Sequence, residues 1–211
     1  MTLPRRLALA GCVAVTTWAV SARRPARAAD PGAEASIAAL NQALLATMQA
    51  GRGVPFAQRF ERLAPAVERA FDLPGILQAS VGPRWSGLPP AQQAQLLEVF
   101  RRFTIASYAA RFNSYNGERI EIVPESRGVG ADQVVATRIV PAGGEPTRID
   151  YVMRRGPGGW QAVDVLLNGS ISQVAVQRSD FRASVAAGDA SALIANLQRK
   201  VAELSGGAPP S

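Results

Sequence analysis

Thr147-Arg148-Ile149-Asp150-Tyr151-Val152-Met153-Arg154-Arg155-Gly156-Pro157-Gly158-Gly159-Trp160-Gln161-Ala162-Val163-Asp164-Val165-Leu166-Leu167 is the stretch that decides the fold. Side chains of an extended chain alternate between two faces. Ile149, Tyr151 and Met153 therefore share one face before the turn, and Val163, Val165 and Leu167 share one after it. Gly156-Pro157-Gly158-Gly159 supplies the turn between them. The pattern predicts two antiparallel strands in a hairpin, each with an apolar face.

Upstream the same period continues. Gln133 to Val140 reads as a strand joined to the hairpin through Gly143-Gly144. Ile120 and Ile122 alternate with Arg119 and Glu121 in another strand, which a loop with Pro124, Gly128 and Gly130 connects. Together these make a four-stranded antiparallel meander. On both sides of it the period changes to 3.6. Ile37, Leu40, Leu44 and Met48 make one helix face, ended by Gly51 and Gly53. A second helix runs from about Pro55 to Ala70, and Pro65 inside it is expected to kink or shorten it. Asp72 is placed to cap a short helix that ends by Gly82. The longest helix spans about Pro90 to Phe112, with Leu96, Leu97, Phe100, Phe103, Thr104, Tyr108 and Phe112 as its stripe. After the meander, a helix is expected from Ile171 to Ala187, capped by Gly188. A last helix follows, with Leu193, Ile194, Leu197, Val201 and Leu204 as its stripe. The fold class is α+β, with helices on one face of a curved sheet.

The N-terminus has a different plan. Arg5 and Arg6 precede an uncharged run from Leu7 to Val20, and Ala26-Arg27-Ala28 offers a small-residue cleavage site. A run of 14 residues is shorter than the ~20 a membrane-spanning helix needs. Residues 1–29 are expected to be a cleavable export signal, followed by a single domain over 30–204 and a disordered tail over 205–211. Arg5-Arg6 resembles a twin-arginine signal, and Arg23, Arg24 and Arg27 disfavour the Sec route, so both routes stay open. Leu9-Ala10-Gly11-Cys12 also reads as a lipobox. Cleavage there would leave a very short apolar core and strand Val13 to Val20 on the mature chain.

Removing the signal changes the charge. Five of the 23 basic residues and none of the 16 acidic ones lie in it, so the mature chain carries a net charge of about +2 rather than +7. Nucleic-acid binding thereby loses its electrostatic support. The chain has no histidine, and its one cysteine, Cys12, is in the signal. A mature chain without either cannot build a disulfide, a Cys/His zinc site, a Ser-His-Asp triad or a Cys-His dyad. Neither a metal nor a cofactor is implied, and no enzyme activity is expected.

One constellation could still carry chemistry. An Asp base with a Tyr donor in an apolar pocket is the arrangement of ketosteroid-isomerase-like cones, and Asp150, Asp164 and Tyr151 could supply it. Against this, Asp150 shares a face with Arg148 and is expected to be solvated. Asp164 is expected to pair with an arginine such as Arg178. The large apolar side chains on helices and sheet suit a pocket that is apolar throughout. Such a pocket shields a long acyl chain, whose exposure to water costs on the order of 10 kcal/mol at ~0.8 kcal/mol per methylene.

The stretches Tyr151-Val152-Met153-Arg154, Gly159 to Val165, Asn168-Gly169-Ser170-Ile171-Ser172 and Gln177-Arg178-Ser179-Asp180-Phe181 resemble the Mla-type (MlaC-like), toluene-tolerance family of periplasmic lipid-binding proteins. Upstream, Phe71-Asp72-Leu73, Gly82-Pro83-Arg84-Trp85, Leu88 to Gln93, Phe100-Arg101, Tyr108 and Tyr115-Asn116-Gly117 match the same pattern. The likeness covers roughly Ser36 to Leu204. The sequence departs from the pattern at Asn168, where an acidic residue is usual, and at Gln177, where a tyrosine is usual. Ser80 to Trp85 and Val174 to Phe181 are closer to the HpnM branch, associated with hopanoid biosynthesis.

The resemblance implies a ketosteroid-isomerase/cystatin-like cone enclosing an apolar cavity. It implies a monomer that carries a hopanoid or a phospholipid through the periplasm. The partners would be an inner-membrane ABC/MCE-type complex and an outer-membrane or RND-type lipid-transport complex. Trp85, Phe100, Phe103, Tyr108, Tyr151, Met153, Val163 and Val165 are the residues expected to face the cavity. Two other readings compete: a cone-fold enzyme with an Asp/Tyr pocket, and a non-lipid adaptor of the envelope.

Overall fold

The hairpin forms as the alternation requires. In the computed structural model, which describes residues 31–207, strands β4 (Thr147–Gly156) and β5 (Gly159–Leu167) pair antiparallel with Gly156 opposite Gly159. Gly159 has φ +99°, a backbone conformation that side-chain-bearing residues resist. Strand β3 (Asp132–Val140) pairs with β4, and β1 (Arg119–Ile122) pairs with β3. These four are the expected meander.

Two short strands extend it. Strand β2 (Arg127–Val129) lies in the β1–β3 loop and pairs with the start of β3. Strand β6 (Ile171–Ser172) pairs with the end of β5. The sheet order is β1-β3-β4-β5-β6, with β2 beside β1 on the same edge of β3. The turn from β5 to β6 holds both Asn168 (φ +52°) and Gly169 (φ +74°) in the left-handed region, and the Ser170 amide donates to the Leu167 carbonyl at 3.2 Å. That is a primed turn, which demands positive φ at both central residues, and asparagine and glycine tolerate it best.

Among the described residues six α-helices accompany the sheet: α1 (Pro31–Ala50), α2 (Phe56–Ala70), α3 (Leu73–Val81), α4 (Pro90–Arg111), α5 (Gln173–Phe181) and α6 (Ser191–Leu204), with a 3-10 segment at Gly82–Gly87. Asp72 caps α3 by accepting from the Gly75 amide at 3.0 Å. Pro65 does not shorten α2. Phe60, Leu63, Val67 and Ala70 are buried on the core side, while Pro65 lines an open groove on the other side, where a missing amide hydrogen costs least.

The expected helix from Ile171 to Ala187 is not what forms. Ile171 and Ser172 join the sheet, and Ser172 caps a shorter α5 by accepting from the Ala175 amide at 2.9 Å. After Phe181 the chain turns, and Gly188 (φ +73°) sits in a tight turn closed by the Ala186 amide and the Asp189 carbonyl at 2.8 Å. Past Leu204, the Gly207 amide returns to the Ala202 carbonyl at 2.9 Å and Ser205 is buried, so a capped turn closes α6. The export signal and lipobox, and residues 208–211, lie outside the described residues.

One apolar core joins the layers. Ile37, Leu40 and Leu44 of α1, Leu63 and Val67 of α2, and Phe100 and Ile105 of α4 pack in one cluster with Val135, Tyr151 and Met153 of the sheet. Buried Arg59 ties α2 to the end of α4, its Nε donating to the Ala109 carbonyl at 3.2 Å. Gln92 of α4 holds the start of α6 by accepting from the Ala190 amide at 2.7 Å. Among the described residues no helix is long and apolar enough to cross a membrane.

Candidate functional site

Antiparallel partners point to the same side of a sheet, so the register defines the face turned to the helices. It carries Ile120 and Ile122 of β1, Val135 and Ile139 of β3, Ile149, Tyr151 and Met153 of β4, and Val165 and Leu167 of β5. Val135, Tyr151 and Met153 are sealed in the core, whereas Ile120, Ile122, Ile149 and Val165 are only half-buried. The helix layer thus covers this apolar face completely at one end and partly at the other.

Aromatic rings stand over it. The β5 edge fixes Phe71: the Asp72 amide donates to the Ala162 carbonyl at 3.0 Å, and Gln161 Nε2 donates to the Phe71 carbonyl at 3.2 Å. The Phe71 ring lies 6.1 Å from Tyr151 and 5.6 Å from Tyr108 of α4, and Tyr108 stacks on Phe112 at 5.8 Å. Pairs at these distances attract beyond the area they bury. Phe71 is the cluster's central ring and was not among the sequence-predicted site residues. Its signal was its place one residue before the Asp72 cap, where the chain crosses to the sheet.

The two phenols are unusual. Tyr151 is 3 % exposed, and among the described residues neither its hydroxyl nor that of Tyr108 makes a hydrogen bond. Burial pushes the Tyr151 phenol well above its ordinary range. Burial also raises Tyr108, and Tyr151 beside it raises it further. Both therefore stay protonated and neutral. Tyr108 is half-buried, and the tips of both hydroxyls keep some contact with solvent. Among the described residues the fully buried oxygens Asn41 Oδ1 and Gln133 Oε1 lack partners, and Gln133 stands opposite Met153 on the same inner face.

The other expected site residues are distributed around this cluster. Met153 is fully buried beneath it, and Val165 pairs with Tyr151 across the strands. Val163 sits in a bulge: Asp164 opposes Val152 and Ala162 opposes Met153, so Ala162 takes the inner position that strict alternation gives Val163. Phe100 and Phe103 lie toward the C-terminal helices. Phe100 meets Phe181 of α5 edge-on at 6.3 Å, and Lys200 of α6 lies over Phe103 at 5.7 Å. Trp85 is half-buried in the 3-10 segment, held where its carbonyl accepts from Gln93 Nε2 at 3.0 Å.

The carboxylates stand elsewhere. Asp150 points to the outer face of β4, away from Tyr151. It is not solvated: its side chain is 0 % exposed, and Arg148 binds both oxygens from Nε and Nη2 at 2.9 and 3.0 Å. Gly169 makes room for that arginine, because a Cβ there would lie 3.0 Å from Arg148 Nε. Asp164 does not pair with Arg178. It accepts from the Val165 amide (2.7 Å), the Val174 amide (3.1 Å) and the Ser172 hydroxyl (2.5 Å), fastening β5 to the start of α5. The Asp/Tyr pocket of a cone-fold enzyme is therefore not assembled. Asp164→Ala should lower the unfolding free energy by about 3 kcal/mol, read by urea denaturation. A loss under about 0.5 kcal/mol, the level of an ordinary surface substitution, would remove this fastening role.

A separate open groove of about 1040 Å³ runs between α1, α2 and the β4–β5 turn. Small residues of α1, including Ala35, Ala39 and Ala43, line it with Pro65 and Trp160. None of the eight expected cavity residues borders it. Among the described residues no cluster of three or more His, Cys, Asp or Glu side chains could hold a metal ion.

The family model described as MlaC protein matches residues 38–199. No curated protein matches the chain significantly. Among solved structures, the phospholipid-binding protein from Ralstonia solanacearum, solved in complex with a phospholipid, is similar with a TM-score of 0.71 at 23% sequence identity. The similarity covers 82% of this chain and 98% of that one.

Proposed function

Because the chain belongs to the MlaC protein family, we propose that it is a periplasmic carrier that takes up a membrane lipid and shields its apolar chains from water. The observation that carries this reading is the partly covered inner face: Ile120, Ile122, Ile149 and Val165 remain half-buried beside the Phe71–Tyr108–Phe112–Tyr151 ring cluster. Apolar side chains at the heart of a layered fold are normally sealed. Left half-open, they offer surface to an apolar ligand, and transfer of each methylene to it contributes ~0.8 kcal/mol.

The similar Ralstonia solanacearum protein, solved with a phospholipid, makes a phospholipid the leading cargo. A hopanoid is the alternative that the Ser80–Trp85 and Val174–Phe181 stretches favour. Transfer would run between an inner-membrane ABC/MCE-type complex and an outer-membrane or RND-type complex, with residues 1–29 directing export. Such a carrier works by binding, with no bond made or broken. Native mass spectrometry of protein purified from the periplasm of an expressing bacterium tests the reading. The expected result is a mass surplus that extraction identifies as lipid. Lipid-free protein that also takes up nothing from vesicles would overturn it in favour of an envelope adaptor.

A further inference from the structure

The two phenols have a use that packing alone does not give them. Tyr151 is 3 % exposed, stands on the inner face of β4, and pairs with half-buried Val165. Tyr108 approaches from α4, and Phe71 lies between the two rings at 5.6 and 6.1 Å. Neither hydroxyl has a hydrogen-bond partner among the described residues. Phenylalanine would fill both positions equally well, so the oxygens serve nothing within the protein, and a ligand on this half-open face can replace water as their acceptor.

We infer that the Tyr108 and Tyr151 hydroxyls donate hydrogen bonds to ester carbonyl oxygens of the bound lipid, and so select acyl esters over lipids that lack them. This rests on the lipid-carrier reading and narrows it to a chemical class. The chemistry of the site favours an ester over a phosphate. Both phenols are neutral donors among Phe71, Phe112 and Met153; Arg111, the cation nearest Tyr108, is exposed to water, so an anion drawn in beside Tyr151 would give up its hydration for little return. An ester carbonyl is a neutral acceptor and loses little on leaving water if it is hydrogen-bonded again. Two donors also match the two carbonyls of a diacyl lipid. The raised phenol pKa values agree, since both groups keep their protons.

The test compares uptake from vesicles of dioleoyl phosphatidylglycerol with uptake from vesicles of its dialkyl ether analogue, which has the same head group and chains but no carbonyl. The parent protein should take up the ester at least tenfold more tightly. Tyr108→Phe/Tyr151→Phe should lose that preference by weakening ester binding while leaving ether binding unchanged. The lipid-free double variant should unfold within about 2 °C of the parent, because the hydroxyls make no bond within the protein. Should the double variant fail to fold, Tyr151→Phe alone should lose part of the same preference. Equal uptake of both lipids by the parent, or an undiminished preference in the variant, would overturn the assignment while leaving the carrier reading intact. Uptake of neither lipid would overturn both.

Discussion

Val165→Glu is expected to abolish lipid loading while leaving a folded protein. Val165 sits opposite Tyr151 on the inner face and is half-buried, so the longer side chain can reach water when no lipid is present. Once an acyl chain covers it, the carboxylate must give up its hydration or take a proton. Either way binding loses on the order of 4 kcal/mol, a fall of roughly 1000-fold in affinity. The sign of the pH dependence follows. Apolar cargo raises the carboxyl pKa, so the protonated form binds better. The deficit should therefore shrink as pH falls below the raised lipid-bound carboxyl value and vanish below the lipid-free one, ~4.3. Mass spectrometry of co-purified lipid and uptake of fluorescent phospholipid from vesicles both read this. Undiminished loading would move the cargo away from this face, with the α1–α2 groove as the next place to look.

Phe100→Ala should cause the largest loss of stability. Phe100 is 1 % exposed and meets Phe181 edge-on at 6.3 Å, so it joins α4 to α5 across the core. Removing a buried aromatic ring costs about 4 kcal/mol from lost burial and the void left behind. For a domain of this size that lowers Tm by roughly 8–16 °C. Thermal unfolding of the lipid-free protein checks it. A shift below about 2 °C would mean that the neighbouring side chains collapse into the void.

Much of this architecture is written in short-range pattern. Ile149, Tyr151 and Met153 alternate as the pleat requires, and Gly156-Pro157-Gly158-Gly159 forms the expected turn. Asp72 caps α3 because its side chain needs only a local amide. The errors arise where distant partners decide. Ile171 and Ser172 continue an apolar series that also fits a helix, and only pairing with Leu166 and Leu167 makes them a strand. Pro65 is a strong local signal against a helix, yet the burial of Phe60, Leu63, Val67 and Ala70 outweighs it. The bulge that gives Ala162 the inner position in place of Val163 belongs to two strands jointly and leaves no mark on either.

The site follows the same division. That adjacent Asp150 and Tyr151 point to opposite faces is already implied by the period of two. That Arg148 holds Asp150 with both nitrogens, or that Asp164 gathers Ser172 and two amides, depends on how turns return the chain. Phe71 joins Tyr108 and Tyr151 only because the sheet edge pulls the α2–α3 junction over β4.

The order of the strands has a further consequence. The long strands β3 and β4 lie inside the sheet; its margins are β1 and β2, of 4 and 3 residues, on one side, and on the other β5, where β6 covers Leu166 and Leu167 and the Phe71–Asp72 junction covers Ala162. Open margins are where a second chain adds itself strand to strand and starts an aggregate. The short margins offer little backbone to copy, the α2–α3 junction is held on the β5 edge, and Arg119 and Glu121 place charge along β1. A protein that exposes apolar side chains each time it empties runs a high risk of self-association. Here the backbone contributes little to that risk, and crowding of such molecules need not seed fibrils.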